Sequence, residues 1–170
     1  GIDTGEIILK SKNFSVKKNS IPRDYLIKTN FCYMAALNNF VNNILKGKSF
    51  LKITQKRTEA TYFKRFYTDK MGLINWDWHG DEIEKFIRAC SKPYSGAFTY
   101  ILEKNKLFKL NLFKAKFKKN QKFNHPFLNG KVYKIYRNGD CDIFCNNGYL
   151  RIKQVSLNKK ILRPDKILKH

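Results

Sequence analysis

The stretch from Gly72 to Tyr100, GLINWDWHGDEIEKFIRACSKPYSGAFTY, constrains this chain more than any other. Ile74, Trp76 and Trp78 alternate with Asn75 and Asp77, which predicts a short half-buried strand. His79-Gly80 reads as a turn. Asp81 stands three residues before Glu84, which predicts a capping box at a helix start. Ile83, Phe86, Ile87 and Cys90 then recur at i, i+3, i+4 and i+7, one face of a helix. Lys92-Pro93 ends that helix, because the residue before a proline is driven out of the α region. Pro93 to Gly96 is a turn, and Ala97 to Ile101 begins a strand.

Upstream, Glu6 to Val16 alternates loosely and predicts a strand, followed by a turn over Lys17 to Ser20. Pro22 suits the first turn of a long amphipathic helix running to about Lys46, where Gly47 stops it. Residues 48–71 are basic and read as a linker. Downstream the signals are for strands: Leu107–Phe117, Gly130–Tyr136, Cys141–Cys145 and Tyr149–Val155. In the last of these, Leu150, Ile152 and Gln154 are expected opposite Arg151, Lys153 and Val155. Asn138-Gly139 and Asn147-Gly148 are hairpin turn signals. Short strands with one helix predict an α+β chain whose second half is a small Greek-key barrel, OB-like.

The net charge of +22 is unevenly spread: residues 1–47 balance at +4 and residues 48–170 at +18. Such a field favours polyanions, nucleic acid above all, and phosphate-bearing ligands. The alternative is a lysine-rich composition with solvated side chains. No apolar run approaches a membrane span. Gly1 to Glu6 has neither the basic segment nor the apolar core of a signal peptide, and there is no initiator methionine, so the chain is expected to be part of a longer protein. Cys32 and Cys90 fall on apolar helix faces. Cys141 and Cys145 share one strand face but have no second pair, so no metal is expected. Four scattered thiols suit a reducing cytoplasm.

Several motifs occur together in an order that resembles the methionyl-tRNA formyltransferase family, which includes relatives that formylate nucleotide-linked amino sugars. They are Ile74 and Trp76, Ile87-Arg88-Ala89, Pro93-Tyr94 and Gly96-Ala97-Phe98-Thr99, with Ala60-Thr61-Tyr62 upstream. Ser95 departs from the proline of most members, and both suit a turn. Gly1-Ile2-Asp3-Thr4-Gly5-Glu6-Ile7 resembles the family's catalytic aspartate loop. The resemblance covers nearly the whole chain.

It implies that residues 1–47 are the tail of an α/β, Rossmann-like catalytic domain, 48–71 a crossover linker, and 72–170 the OB-like C-terminal domain. It implies transfer of a formyl group from 10-formyltetrahydrofolate to a primary amine, and a role in protein biosynthesis. Asp3 is the implied catalytic residue, holding a histidine in its charged form. That histidine and its asparagine partner are not in this chain, since His79 and His125 do not match, so the 170 residues alone are expected to be inactive. The basic charge favours initiator methionyl-tRNA as acceptor. Phe63-Lys64-Arg65, Asp69, Gly72 and Asn75-Trp76 look closer to the amino-sugar branch. A non-enzymatic RNA-binding module is the reading from another class. Phe108, Phe117, Tyr133, Tyr136 and Tyr149, interleaved with lysines, are the candidate base-stacking residues for it. Trp76 and Trp78 are expected in the core, and Arg88 in an ion pair or at a helix carbonyl.

Overall fold

β1 (Ala97–Glu103) and β2 (Lys106–Lys119) form a hairpin whose register pairs Ala97 with Leu112 and Glu103 with Lys106. They come from a computed structural model that describes residues 4–103, 105–120, 125–158 and 160–168. Four more strands follow: β3 (Val132–Ile135), β4 (Cys141–Cys145), β5 (Gly148–Leu157) and β6 (Lys160–Leu162). All pairings are antiparallel, in the order β1-β2-β5-β4-β3, with β6 also on β5. The meander β3-β4-β5 with β2 returning beside β5 is a Greek key.

The expected closed barrel is not formed by this ladder: among the described residues β1 and β3 do not pair. The far edge of β1 is taken instead. Ile74 N donates to Phe98 O at 2.8 Å, and Phe98 N donates to Gly72 O at 2.7 Å. That bridge is all that remains of the strand expected over residues 74–78. Asn75 Oδ1 accepts from Asp77 N at 2.9 Å and folds the chain into a turn. Trp76 still packs against the core, with Nε1 donating to Thr99 Oγ1 at 3.1 Å, whereas Trp78 stays 39% exposed.

Among the described residues three α-helices precede the sheet: α1 (Pro22–Leu45), the single turn α2 (Thr68–Met71) and α3 (Gly80–Ala89). Ile83 and Ile87 of α3 are buried against Leu112 and Leu150 in one core, as their spacing predicts. The capping box is not formed. His79 is the N-cap, two residues earlier than expected, because the Gly80 N–H is already held by Asn146 O at 3.2 Å. Glu84 serves the sheet instead. Its carboxylate accepts from Phe117 N at 2.7 Å, and Lys116 Nζ lies 3.1 Å away. β1 stops pairing at Leu112, so that stretch of β2 has no strand on its other side, and the helix supplies the acceptor.

The alternation of β5 breaks after Ile152. Register shifts leave Phe113 and Lys153 outside the pairing, so Val155 is buried where Gln154 was expected. Ser91 Oγ lies 2.7 Å from Phe113 O and 2.9 Å from Ile87 O, which ties this bulge to α3.

The chain divides into two compact units, Gly1–Lys18 with Asp24–Arg65, and Asn19–Arg23 with Phe66–His170. In the first, Phe40 stacks on Phe50 at 5.0 Å and Gln55 Nε2 donates to Gly5 O at 2.7 Å. No residue of α1 is buried; Phe31 is 74% and Leu45 79% exposed. The strand expected over residues 6–16 is reduced to a bridge between Ile7 and Ile53. A strand needs a ladder, and among the described residues this segment finds one backbone partner, Ile53.

Candidate nucleic-acid interface

In β4 the period of two sends Cys141, Ile143 and Cys145 into the core and leaves Asp142 and Phe144 on the opposite face. The register then decides what stands beside them. Arg151 is opposite Asp142 and Tyr149 opposite Phe144, while Lys134 of β3 flanks Asp142. On β2, Lys116 and Lys118 lie opposite Arg151 and Tyr149.

Tyr133 falls at a register shift in β3, with its ring 4.8 Å from Phe144 and 5.7 Å from Tyr149. The three rings form one aromatic cluster, of which Tyr133 is 48% exposed. Beside it, Asp142 is fully buried. Arg151 grips it with Nε to Oδ1 at 2.9 Å and Nη2 to Oδ2 at 3.0 Å. Tyr136 OH donates to Oδ2 at 2.8 Å, and the guanidinium lies 4.3 Å from the Tyr136 ring centre. Burial pushes the Tyr136 phenol above its usual value, and the neighbouring carboxylate adds to the shift. The Asp142 hydrogen bond moves Arg151 further up. The face therefore has its buried carboxylate matched by one guanidinium, exposed lysines at Lys118 and Lys134 beside Lys116, whose ammonium is paired with Glu84, and an aromatic centre. Rings that expose a face stack on nucleobases, and ammonium groups at their rim contact phosphates.

Of the five candidate stacking residues, Tyr133, Tyr136 and Tyr149 share this face. Phe117 packs against the core beside His79, and Phe108 stands opposite Ile101, on the face of buried Leu110. Phe144 was missed, although its alternation with the two cysteines placed it opposite them. Asp3 lies outside the described residues. His79 and His125 both act as caps, the latter accepting from Phe127 N at 3.3 Å. Arg88 lies 3.8 Å from Glu84.

Cys90, Cys141 and Cys145 are buried, and burial pushes their thiols up, to about 11 for Cys90 and about 12 for the other two. They are packing groups. Among the described residues no three His, Cys, Asp or Glu side chains are grouped to hold a metal ion, and no helix is long and apolar enough to cross a membrane.

Comparison with known proteins agrees with this architecture. Over 105 residues the chain is 33% identical to the bifunctional polymyxin resistance protein ArnA of Wigglesworthia glossinidia brevipalpis, covering 61% of this chain and 15% of that protein. Over 106 residues it is 31% identical to the methionyl-tRNA formyltransferase of Dehalococcoides mccartyi (strain CBDB1), covering 61% and 32%. The chain thus spans less than a third of these curated relatives. Two variants of HypX from Aquifex aeolicus share its fold, with TM-scores of 0.63 and 0.64 over 97% of this chain and 27% and 28% of theirs, at 17% and 18% identity. Residues 67–170, more than half of the sequence, match the model of the formyl transferase C-terminal domain, and the chain belongs to that family.

Proposed function

We propose that this chain is the acceptor-binding portion of an enzyme that moves a formyl group from 10-formyltetrahydrofolate to the amine of initiator methionyl-tRNA. The observation that carries this reading is the basic, aromatic outer face of β2 to β5, which suits RNA in the manner of OB-like sheets. The 31% identity to a methionyl-tRNA formyltransferase supports it. A cytoplasmic location belongs to the same reading and is supported by the four free thiols.

The first unit does not fit the folate donor. The cleft of the first unit, about 520 Å³ between Thr4–Lys10 and Ile53–Ala60, has no aromatic side chain among its lining residues to cover a pteridine. Donor binding and the reacting groups are therefore assigned to parts of the relatives that this chain does not span. Asp3 is proposed as the chain's one catalytic residue, orienting a histidine from such a part and favouring its charged form. The 170 residues alone should be inactive.

The second reading is an amino-sugar nucleotide as acceptor. It is favoured by Phe63-Lys64-Arg65 with Asn75-Trp76, which resemble the amino-sugar branch. The test is a formylation assay in which this chain follows an α/β formyltransferase domain. Formylation of charged initiator tRNA with no turnover of a nucleotide-linked amino sugar supports the first reading. The reverse supports the second. RNA binding with formylation of neither contradicts both.

A further inference from the structure

A second recess lies on the sheet away from the aromatic cluster. Asn111 of β2, Ser156 of β5 and Ile161 of β6 are register neighbours and form a row across three strands. Asn158 is two residues beyond Ser156, at the end of β5, and the loop Lys92–Ser95 rises as a wall. Together they enclose a groove of about 530 Å³, the size of small-molecule sites. Its floor is fixed. Asn111 Nδ2 donates to Ser95 O at 2.9 Å, which sets the amide orientation and leaves Oδ1 to accept. Ser156 is only 5% exposed yet lines the same floor. Tyr94 is 48% exposed and lines the groove, as does Phe113 at the bulge. Lys92 stands at the same wall. The neighbouring Lys109 is engaged elsewhere, over the Phe98 ring at 3.7 Å and on the Asp69 carbonyl.

Each part selects for a different portion of one ligand class. An exposed tyrosine takes a flat ring. A side-chain amide beside a hydroxyl reads the donor and acceptor edge of a heteroaromatic base. A lysine takes a phosphate, and residues 101–170, with 18 basic and 4 acidic side chains, hold a field of +14 that draws anions in. A bare anion would need neither the ring nor the amide, and an apolar ligand would cover Asn111 Oδ1 and the Ser156 hydroxyl without giving them a partner.

We propose that this groove is a nucleotide site, binding one nucleoside phosphate with its base against Tyr94 and its polar edge on Asn111 and Ser156. The nucleotide comes either from an unpaired RNA strand or from a free or sugar-linked nucleotide. The inference does not depend on formyl transfer, so the site stands or falls separately from the acceptor assigned above.

The test is an amide NMR titration of the 170-residue chain with adenosine monophosphate, uridine diphosphate, inorganic phosphate and a single-stranded RNA octamer. The nucleotides should shift Tyr94, Asn111 and Ser156 saturably. Tyr94→Ala should weaken binding by about tenfold, the loss of one stacked base, while Tyr94→Phe should retain it. Shifts from the octamer alone at these residues support a strand as the source, and shifts from the mononucleotides alone support a small ligand. Equal response to inorganic phosphate, shifts confined to other residues, or an unchanged affinity in Tyr94→Ala would overturn the proposal.

Discussion

Asp142 is the residue whose environment matters most to the second half of the chain. It is fully buried, and its charge is held by two bonds from Arg151 and one from Tyr136. Removing Asp142 leaves Arg151 with only its 2.7 Å bond to Tyr136 OH and no countercharge, and taking away one partner of a buried ion pair costs more than the pair contributes net. Asp142→Ala should therefore destabilise the protein by about 3 kcal/mol in urea unfolding, and Tyr136→Phe by about 1 kcal/mol. A loss near zero for Asp142→Ala would mean that Arg151, 26% exposed, simply turns to water. The buried thiols give a pH dependence. Cys141 and Cys145 ionise near 9.0 when unfolded and near 12 when folded. Between those values the unfolded chain has lost protons that the folded chain keeps, so stability is full below about pH 9 and falls as pH rises towards 12. Cys141→Ala with Cys145→Ala should flatten that alkaline decline in thermal melts. A decline of the same steepness in the double variant would remove the thiols as its cause. Neither the burial of Asp142 nor its partner was legible locally, because Arg151 reaches it only through the register of β4 on β5.

At the scale of elements, long periodic segments were readable and irregular joins were not. The 24 residues of α1 and the apolar face of α3 follow from spacing and from their flanking proline and glycine. The Trp-Asp-Trp alternation was misleading because an asparagine side chain closed the turn before a ladder could form. The second hairpin is also one residue out of place. Cys145 pairs with Gly148, so the loop is Asn146-Asn147 and Gly148 belongs to β5. A Cβ at Gly148 would lie 2.2 Å from Lys118 O, so only glycine lets β2 come this close. The sequence marked a glycine there, and packing rather than turn chemistry is its reason. Gly80 is similar. A Cβ there would lie 2.2 Å from the Phe117 ring and 2.7 Å from Cys145 Sγ, in a position where helix propensity alone favours alanine. Gly80→Ala should thus lower stability by about 1–3 kcal/mol, the cost of overpacking, despite the better helix former. A stabilised variant in urea unfolding would show that α3 can shift off the sheet freely.

For the whole molecule, charge and topology lead to one account. The Greek-key order brings Tyr133, Phe144 and Tyr149 together from three strands and ranks the lysines of β2 beside them. The sequence carried the alternation and the net charge, but the convergence needed the pairing of β2 with β5 across the interval from Lys119 to Gly148. If this face binds the RNA acceptor, affinity has two separable parts: phosphate contacts that weaken with salt, and ring stacking that does not. The measurement is the equilibrium binding of initiator tRNA to the 170-residue chain across a series of salt concentrations, for the parent and for Tyr133→Ala. The logarithm of the binding constant should fall linearly and steeply with the logarithm of salt concentration. Tyr133→Ala should lower the line by about 1–3 kcal/mol with little change of slope. Binding that is indifferent to salt, or a Tyr133→Ala line that coincides with the parent, would contradict the account.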